Sequence, residues 1–189
     1  VLEGLEDGVV AADVATFATL RTQADRLTRL ATDLRDVSAA EEGRLDLRPE
    51  PVDLATVASG AVAGARAAFD QVGVRLDART TSAPVRADPA RLGQVLDNLL
   101  ANALRHTPEG GSVVVTVVKE GQTARLVVAD TGGGIAPEHL SHVFERFYRA
   151  DPARRAPDAG TGVGLSISRA IAQAHGGTLI ASSPGPGQD

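Results

Sequence analysis

Two asparagines, Asn98 and Asn102, lie four residues apart in the stretch DNLLANALRHTPEGG, which otherwise has the pattern of a buried helix. Residues at positions i and i+4 share one face of a helix, so both amides point the same way. Their carbonyl oxygens suit a hard cation such as Mg²⁺, which prefers oxygen ligands and retains several waters. On this helix alone, a polar stripe that hydrogen-bonds to the backbone is the better interpretation, so the chemistry depends on further motifs.

A glycine turn, ADTGGGIAP, comes directly after a predicted strand. Asp130 at the end of that strand has a carboxylate that accepts a hydrogen bond from an exocyclic amine, while Gly132 and Gly134 allow a tight turn and close approach to a flat ring. Glycine turns after strands are common, so this motif is a weak signal by itself. The turn also lacks the third glycine and the long helix of a dinucleotide-binding fingerprint.

A second glycine motif, GTGVGLSISRAIAQAHGG, has Gly160, Gly162 and Gly164 alternating just before a helix. Bare backbone N–H groups and the positive end of the helix suit phosphate groups. Between the two motifs lies FERFYRAD, in which Phe144 and Phe147 are predicted packing anchors. Its next two residues, Tyr148 and Arg149, are placed to reach outward to a phosphate. Residues 151–160, between the motifs, are predicted to form a lid that orders over a ligand, with a plain surface loop as the alternative.

Composition excludes several other functions. The 189 residues carry a net charge of −5 without a long basic run, which argues against nucleic acid as the main partner. The single lysine, Lys119, does not stand in a P-loop motif. The chain has no cysteine and no apolar run of the ~18 residues that a membrane span needs, and its acidic start is unlike a signal peptide. We therefore expect these 189 residues to be soluble and to make no direct membrane contact.

The elements that must position these motifs divide the chain in two. Apolar residues recur at steps of three and four over residues 13–41, which favours a helix in a bundle over a helix lying on its own globular domain. The segment EEGRLDLRPEP breaks that period, so we place a boundary near residue 43. Residues 1–43 are then the end of a helical hairpin, and residues 44–189 form the main domain.

The main domain is predicted to be α+β, a two-layer sandwich with helices on one side of a sheet. One helix begins at the N-cap Asp53 and ends near Gln71, and a second follows the Asp88-Pro89 cap. The strands VRLDAR and PVRAD lie between these helices, and the strands SVVVTVVKE and TARLVVAD form a tight antiparallel hairpin after them. A short helix near residues 137–142, a helix over residues 163–175 and a final strand TLIAS complete the set.

The four motifs, in this order and spacing, closely resemble the N, G1, F and G2 boxes of sensor histidine kinases of two-component systems. These kinases belong to the wider gyrase, Hsp90, histidine kinase and MutL family of ATP-binding domains. The resemblance covers about residues 44–182, and residues 1–41 resemble the end of the kinase dimerisation domain. It implies Mg-ATP as the bound nucleotide, held between the glycine turn and the asparagine helix, and transfer of the γ-phosphoryl group to a histidine.

The resemblance also implies a role for each matching residue. Asn102 would coordinate Mg²⁺ and contact ATP, and Asn98 would assist in catalysis and ATP binding from the preceding turn. Arg105 and His106 would contact phosphate and ribose, and Arg149 would act on the terminal phosphate as a catalytic residue. Asp130 would receive the adenine amino group. The other implied ATP contacts are Gly132, Gly134, Ile135, Tyr148, Gly160, Thr161, Gly162, Val163, Gly164 and Leu165.

One departure from the family pattern concerns the phosphoacceptor. The histidines are His106, His139, His142 and His175, and none lies in the first 41 residues, where that histidine would be expected. The last three are predicted to be solvated or to cap helices. We therefore expect this chain to bind Mg-ATP without autophosphorylating, and its last strand to be truncated.

The resemblance implies further partners for the whole protein. It would be a homodimer anchored in the bacterial plasma membrane, with these residues in the cytoplasm, and would act with a histidine-bearing dimerisation domain and a response regulator. Two alternatives stay open: a switch-type serine kinase of the anti-sigma kind, and a non-catalytic ATP-binding module. A gyrase-like ATPase would need a catalytic acid, for which Asp97 is the candidate.

Overall fold

The computed structural model describes residues 45–149 and 162–185, together with Gly187 and scattered positions between Asp13 and Arg35. Where residues 13–41 are described, Thr16 to Ala18 are helical, and the Asp13 carboxylate accepts a hydrogen bond from the Thr16 N–H at 2.7 Å. The heptad interpretation and the loop over residues 151–160 lie largely or wholly outside the described residues, so both stay predictions.

A small two-stranded sheet opens the main domain. Strand β1 (Glu50–Asp53) pairs antiparallel with β3 (Pro84–Ala87). Helix α1 (Leu54–Gln71) begins at the predicted N-cap, since the Asp53 carboxylate accepts a hydrogen bond from the Ala55 N–H at 3.0 Å. The same carboxylate also accepts from the Ala83 N–H at 2.9 Å, so one side chain both caps α1 and fixes the chain entering β3.

The main sheet has three strands in the order β2-β4-β5. Strand β2 (Arg75–Thr80) runs parallel to β4 (Ser112–Glu120), and β4 pairs antiparallel with β5 (Thr123–Asp130). The predicted hairpin is confirmed, and the Thr123 hydroxyl donates to the Glu120 carbonyl at 2.9 Å across its turn. Alternate β4 residues, Val113, Val115 and Val117, are fully buried, so this face of the sheet is the inner one.

Helix α2 (Pro89–His106) joins the core to the candidate site. Asp88 caps it by accepting from the Ala90 and Arg91 N–H groups at 3.0 and 3.1 Å, and Pro89 occupies the first turn, as predicted. Leu96 and Leu100 pack with α1 and the inner face of the main sheet. The main core contains Leu54, Ala58, Val62, Phe69, Val74, Leu76, Ala83, Leu96, Leu100, Ala103, Val113, Val115 and Val117.

Another side of α2 packs against the last helix. After the short α3 (Pro137–Leu140), helix α4 (Gly164–Ala174) covers Val95 of α2 with a second apolar cluster. That cluster contains Val95, Val163, Ile167 and Ile171. The predicted sandwich is confirmed, because α1 and α2 cover the inner face of the mixed sheet.

The prediction of a final strand is wrong. Residues 178–182 join no ladder among the described residues, and the Ile180 side chain is 83% exposed. The segment has the alternating pattern of a strand, but a strand is stable only when its backbone groups pair with a neighbour. Among the residues that the structure describes, none of the helices combines the length and the apolar character needed to cross a membrane.

Candidate functional site

Three segments that are far apart in the chain meet at one end of the domain. The last residue of α2, His106, lies against the turn after β5. A Cβ on Gly132 in that turn would be only 2.7 Å from the His106 carbonyl oxygen. The middle of α2 meets the start of α4, where the Asn98 amide nitrogen is 3.2 Å from the Gly164 carbonyl oxygen. The asparagine helix therefore contacts both glycine motifs, and we call the region that these three segments border the cleft.

The asparagine pair lies on the side of α2 that faces this cleft. Asn98 is half-buried, and its Nδ2 atom donates to the Gly164 carbonyl at 3.2 Å and to the Ser168 hydroxyl at 3.3 Å. Because a carbonyl only accepts, these contacts assign the amide nitrogen of Asn98 to the α4 side. Asn102 is also half-buried and lies one helical turn further along the same face.

Asp130 lies at the rim of the cleft, at the end of β5. It is opposite the buried Val113 in the ladder, so its side chain is on the inner side of the sheet. Its Oδ1 atom accepts from the Gly132 N–H at 2.9 Å, and among the described residues only that oxygen is engaged. The Oδ2 atom is therefore the acceptor available to an amine outside the chain.

The turn after Asp130 has no room for a side chain at Gly132. A Cβ there would lie 2.6 Å from Asp130 Oδ1 and 2.7 Å from the His106 carbonyl oxygen, both well inside normal contact. Gly134 has φ +71, and the Ile135 N–H donates to the Ser183 hydroxyl at 2.9 Å. The close approach of this turn to the end of α2 thus explains the glycine at position 132.

The start of α4 presents backbone donors to the cleft. Val163, the N-cap residue, provides no side-chain acceptor, so the first N–H groups of the helix lack the usual cap. These groups and the positive end of the helix dipole suit an anion. Gly162, Val163, Gly164 and Leu165 lie at this end as predicted, whereas Gly160 and Thr161 fall outside the described residues.

The segment FERFYRAD is hydrogen-bonded to the residues at the start of α4. The Phe147 N–H donates to the Gly162 carbonyl at 2.9 Å, and a Cβ on Gly162, which has φ +73, would lie 2.9 Å from Phe147 Cα. Phe147 itself has φ +60 and its side chain is 67% exposed, so it is not the buried anchor that the sequence predicts. The backbone of a bulky residue at positive φ is strained, and the strained residue here is the one that makes the close contact with Gly162.

Tyr148 and Arg149 follow Phe147 in the same segment. The Tyr148 hydroxyl lies 2.7 Å from His139 Nδ1, and its ring lies 5.5 Å from the His142 ring, centroid to centroid. Arg149 is exposed. Their predicted contacts with ATP stay predictions. Arg105 and His106 are exposed at the end of α2, where the resemblance places a phosphate and a ribose.

The three remaining histidines have different surroundings. His139 bonds to Tyr148 and is half-buried, so the expectation that it is merely solvated or capping is wrong. His142 is exposed and pairs with Glu145 at 2.7 Å. His175 ends α4, as predicted: its Nδ1 atom lies 2.8 Å from the Ile171 carbonyl.

The other ring nitrogen of His175 joins α4 to the start of α2. Its Nε2 atom accepts from the Asp88 N–H at 2.9 Å. Only the neutral tautomer with hydrogen on Nδ1 satisfies both this contact and the Ile171 carbonyl. The imidazole therefore holds the C-terminal end of α4 against the N-cap of α2.

Asp97 is exposed on α2, next to Asn98. Desolvation by the surrounding protein raises the pKa of its carboxyl above the usual value. The structure supplies no hydrogen-bond partner that would orient Asp97 for proton transfer, so the candidate acid of a gyrase-like ATPase has little support within the described residues.

The described residues can hold a magnesium ion only in combination with a ligand. They contain no group of three or more His, Cys, Asp or Glu side chains placed to bind a metal. The amide oxygen of Asn102 is an acceptable donor for Mg²⁺, which takes its remaining ligands from phosphate oxygens and waters in such sites. The donor set therefore fits a magnesium ion that arrives with a nucleotide.

Two serines near the site have no signal in the sequence motifs. Ser168 is fully buried and bonds to Asn98, and Ser183 bonds to the glycine turn through Ile135. Their partners are 70 and 48 positions away in the chain, so local spacing could not identify them.

An open groove of about 420 Å³ lies on another side of α4, and its lining residues include none of the predicted ATP contacts.

Comparison with known proteins supports these observations. Residues 87–189 match the family described as histidine kinase-, DNA gyrase B-, and HSP90-like ATPase. The chain is 37% identical over 182 residues to the signal transduction histidine-protein kinase BaeS of Escherichia coli K12, covering 96% of this chain and 39% of that protein. It is 33% identical to the sensor protein SrrB of Staphylococcus aureus N315, covering 96% of this chain and 32% of SrrB.

Solved structures give the same result. The histidine kinase AdeS of Acinetobacter baumannii aligns with a TM-score of 0.79 and 32% identity, over 98% of this chain and 86% of that one. Full-length ShkA, solved in complex with AMPPNP, aligns with a TM-score of 0.75 and 26% identity, over 92% of this chain and 37% of ShkA. The chain thus spans about two fifths or less of the length of BaeS and SrrB. On the evidence of the motifs, the fold and these matches, the chain belongs to the histidine kinase-, DNA gyrase B- and HSP90-like ATPase family and contains the catalytic ATP-binding domain of a sensor histidine kinase.

Proposed function

We propose that this domain binds Mg-ATP in the cleft between α2, the turn after Asp130 and the start of α4, and donates the γ-phosphoryl group to a histidine of a dimerisation domain. The observation that carries the proposal is the convergence of Asn98, Gly132 and Gly164 from separate segments on one cleft. The relatives, which are sensor kinases, favour this function over the serine kinase and the non-catalytic module.

The proposed position of ATP follows from the donors and acceptors of the cleft. The adenine amino group donates to Asp130 Oδ2, while Gly132, Gly134 and Ile135 line the base. The phosphates lie at the start of α4, against the backbone of residues 162–165, because that helix end presents uncapped N–H groups. Gly160, Thr161, Tyr148 and Arg149 complete the phosphate contacts, and Arg105 and His106 approach the nucleotide from the end of α2.

Magnesium would be held by Asn102 and by the phosphates themselves. When bound, it neutralises charge on the phosphate oxygens, which phosphoryl transfer requires. The chain's own residues position the nucleotide: Asn98 next to α4, Arg149 toward the terminal phosphate and Asp130 on the base. Because such transfer depends on positioning and electrostatics more than on covalent chemistry by the protein, these positioning roles are the part in catalysis that we assign to this domain.

The rest of the signalling pathway is part of the same proposal. The phosphoryl group passes from the histidine to an aspartate of a response regulator, and the whole protein acts as a homodimer. We infer that this domain lies on the cytoplasmic side of a bacterial plasma membrane, where ATP is available, and that the parent protein is anchored in that membrane. The support is the similarity to BaeS and SrrB, which are much longer than this chain.

Titration with a non-hydrolysable ATP analogue, with and without Mg²⁺, tests the binding site. We expect Asn102→Ala to abolish the gain in affinity that Mg²⁺ provides, because it removes the proposed oxygen ligand. Asp97→Asn is the matched control, since that side chain is exposed on the same helix and has no role in the proposed site. Unchanged metal-dependent binding by Asn102→Ala would refute the assignment.

Phosphoryl transfer is tested with labelled ATP. The four histidines, His106, His139, His142 and His175, all lie in the main domain, so the chain alone is expected to form no stable phosphohistidine. Adding the histidine-bearing dimerisation domain of a relative is expected to give acid-labile label on that domain. Strong label on this chain by itself would contradict the proposed division of roles.

A further inference from the structure

One polar side chain in the contact between α2 and α4 is not accounted for by packing. Ser168 is fully buried, and its hydroxyl donates to the Gly164 carbonyl at 2.9 Å. It lies on the side of α4 that carries the buried Ile167 and Ile171. An apolar residue would serve packing at this position equally well, because a helix-interior serine that bonds back to position i−4 gains little stability.

The hydroxyl of Ser168 has a second partner in the candidate site. Its hydrogen is used by the Gly164 carbonyl, so its lone pairs accept from Asn98 Nδ2 at 3.3 Å. Asn98 Nδ2 also donates to the Gly164 carbonyl at 3.2 Å. Both partners of the amide nitrogen are therefore acceptors, and both belong to the first five residues of α4.

These two contacts fix which way the Asn98 amide points. A flipped amide would place its oxygen against the Gly164 carbonyl, which has no hydrogen to donate. In the observed orientation, Oδ1 lies 3.5 Å from the point where a Cβ on Gly164 would be, beside the uncapped helix end. The amide oxygen is therefore directed to the region in which we place the phosphates and the metal.

We propose that Ser168 is a positioning residue, which orients the amide of Asn98 for binding of the metal and phosphates of Mg-ATP. This inference rests on the proposed function, because it assigns a purpose to the orientation of Asn98 in that site. Ser168 contacts neither the nucleotide nor the metal and acts through Asn98 alone.

Binding of Mg²⁺ and the analogue adenylyl imidodiphosphate to the whole chain tests this role. Loss of one hydrogen bond to the amide is expected to lower the affinity of Ser168→Ala about fivefold, which corresponds to ~1 kcal/mol. Ser166→Ala is the matched control, because the Ser166 hydroxyl donates to the Val163 carbonyl at 2.8 Å on the same helix. That control is expected to bind within about twofold of the unmodified chain.

A double-mutant cycle separates positioning from simple structural support. In an Asn98→Ala background, Ser168→Ala is expected to cause no further loss of affinity, since no amide remains to be oriented. An equal loss in both backgrounds, or unchanged affinity in Ser168→Ala alone, would overturn the inference. Urea unfolding checks that Ser168→Ala is folded, which is expected because alanine is the best helix former and the surroundings are apolar.

A spectroscopic measurement makes the test independent of nucleotide binding. In the chain without nucleotide, the side-chain amide protons of Asn98 are expected to exchange slowly in NMR spectra, and faster in Ser168→Ala but not in Ser166→Ala. Identical exchange in all three proteins would overturn the inference. Failure of the unmodified chain to bind the analogue would instead refute the proposed function, so the two failures are distinguishable.

Discussion

Substitution of Gly132 tests whether the contact between the glycine turn and α2 builds the site. In Gly132→Ala, the new methyl group would lie 2.7 Å from the His106 carbonyl oxygen and 2.6 Å from Asp130 Oδ1. Ordinary contacts of a methyl carbon are longer than 3.4 Å, so the turn and the end of α2 must separate by several tenths of an ångström. The carbonyl belongs to a helix backbone and cannot rotate away as a flexible side chain would.

The size of the effect follows from the cost of overpacking. Forcing one extra methyl group into a closely packed contact lowers the free energy of unfolding by about 1–3 kcal/mol. The Asp130 carboxylate is displaced as well, and it is the proposed acceptor for the adenine amino group. If the ATP analogue binds only when the Asp130 carboxylate is in its original position, binding must restore the overpacked contact. The cost of about 1–3 kcal/mol then corresponds to a loss of affinity of roughly 5- to 150-fold.

The assay compares Gly132→Ala with its neighbour Gly133→Ala. A Cβ on Gly133 would meet no atom within 4 Å, so that variant is expected to change the free energy of unfolding by less than about 0.5 kcal/mol. Urea unfolding measures the stability of both variants, and titration with the ATP analogue measures their affinity. Equal stability and equal affinity in the two variants would refute the argument that close approach at Gly132 is required.

Three further predictions concern charges and caps around α2. Asp88 is buried; desolvation raises the pKa of its carboxyl, but backbone hydrogen bonds from Arg48, Arg91 and Ala90 outweigh this and lower it overall. A carboxyl with a lowered pKa stabilises the fold above its unfolded pKa of ~3.9, and the stability is lost as pH falls through the folded pKa. Urea unfolding at different pH values is therefore expected to show a fall in stability below about pH 4, smaller in Asp88→Asn; an identical fall would contradict this. His175→Ala leaves the Asp88 N–H unpaired and is expected to lower the free energy of unfolding by about 1–3 kcal/mol. The control His142→Ala removes an exposed side chain and is expected to lower it by only about 0–1 kcal/mol. Equal losses in the two variants would contradict the role of His175. Asp97→Asn is expected to leave stability at pH 7 unchanged or to raise it. The reason is that an ionised carboxyl whose pKa is raised by desolvation destabilises the fold above that pKa. A marked loss of stability in urea unfolding would contradict this, because it would show that the charge has a stabilising partner.

The helices were predictable because their signals are local. Asp53 and Asp88 each cap the helix that follows them, and the apolar spacing of α2 identifies the buried Leu96 and Leu100. The β4-β5 hairpin was predictable for the same reason, since its two strands are joined by a short turn. In these elements the residues that determine the structure lie within a few positions of each other.

The errors occur where structure depends on distant partners. The sequence does not predict strand β1, because its four residues form a strand only by pairing with β3, with Glu50 opposite Ala87. The segment over residues 178–182 has a suitable pattern but joins no ladder among the described residues. The residue type of Phe147 predicts a packing anchor, whereas its backbone is hydrogen-bonded to Gly162, fifteen residues further on.

Helix α2 explains why the motif residues were easier to predict than those that orient them. One of its faces is fixed by the core through Leu96 and Leu100, so the direction of the asparagine face follows from helical periodicity alone. The rotation of each amide about its own side chain does not follow from periodicity, and the partners of the Asn98 amide are Gly164 and Ser168, 66 and 70 residues away. A sequence motif therefore identifies which side chains enter the cleft, whereas the atoms that they present there are determined by partners outside the motif.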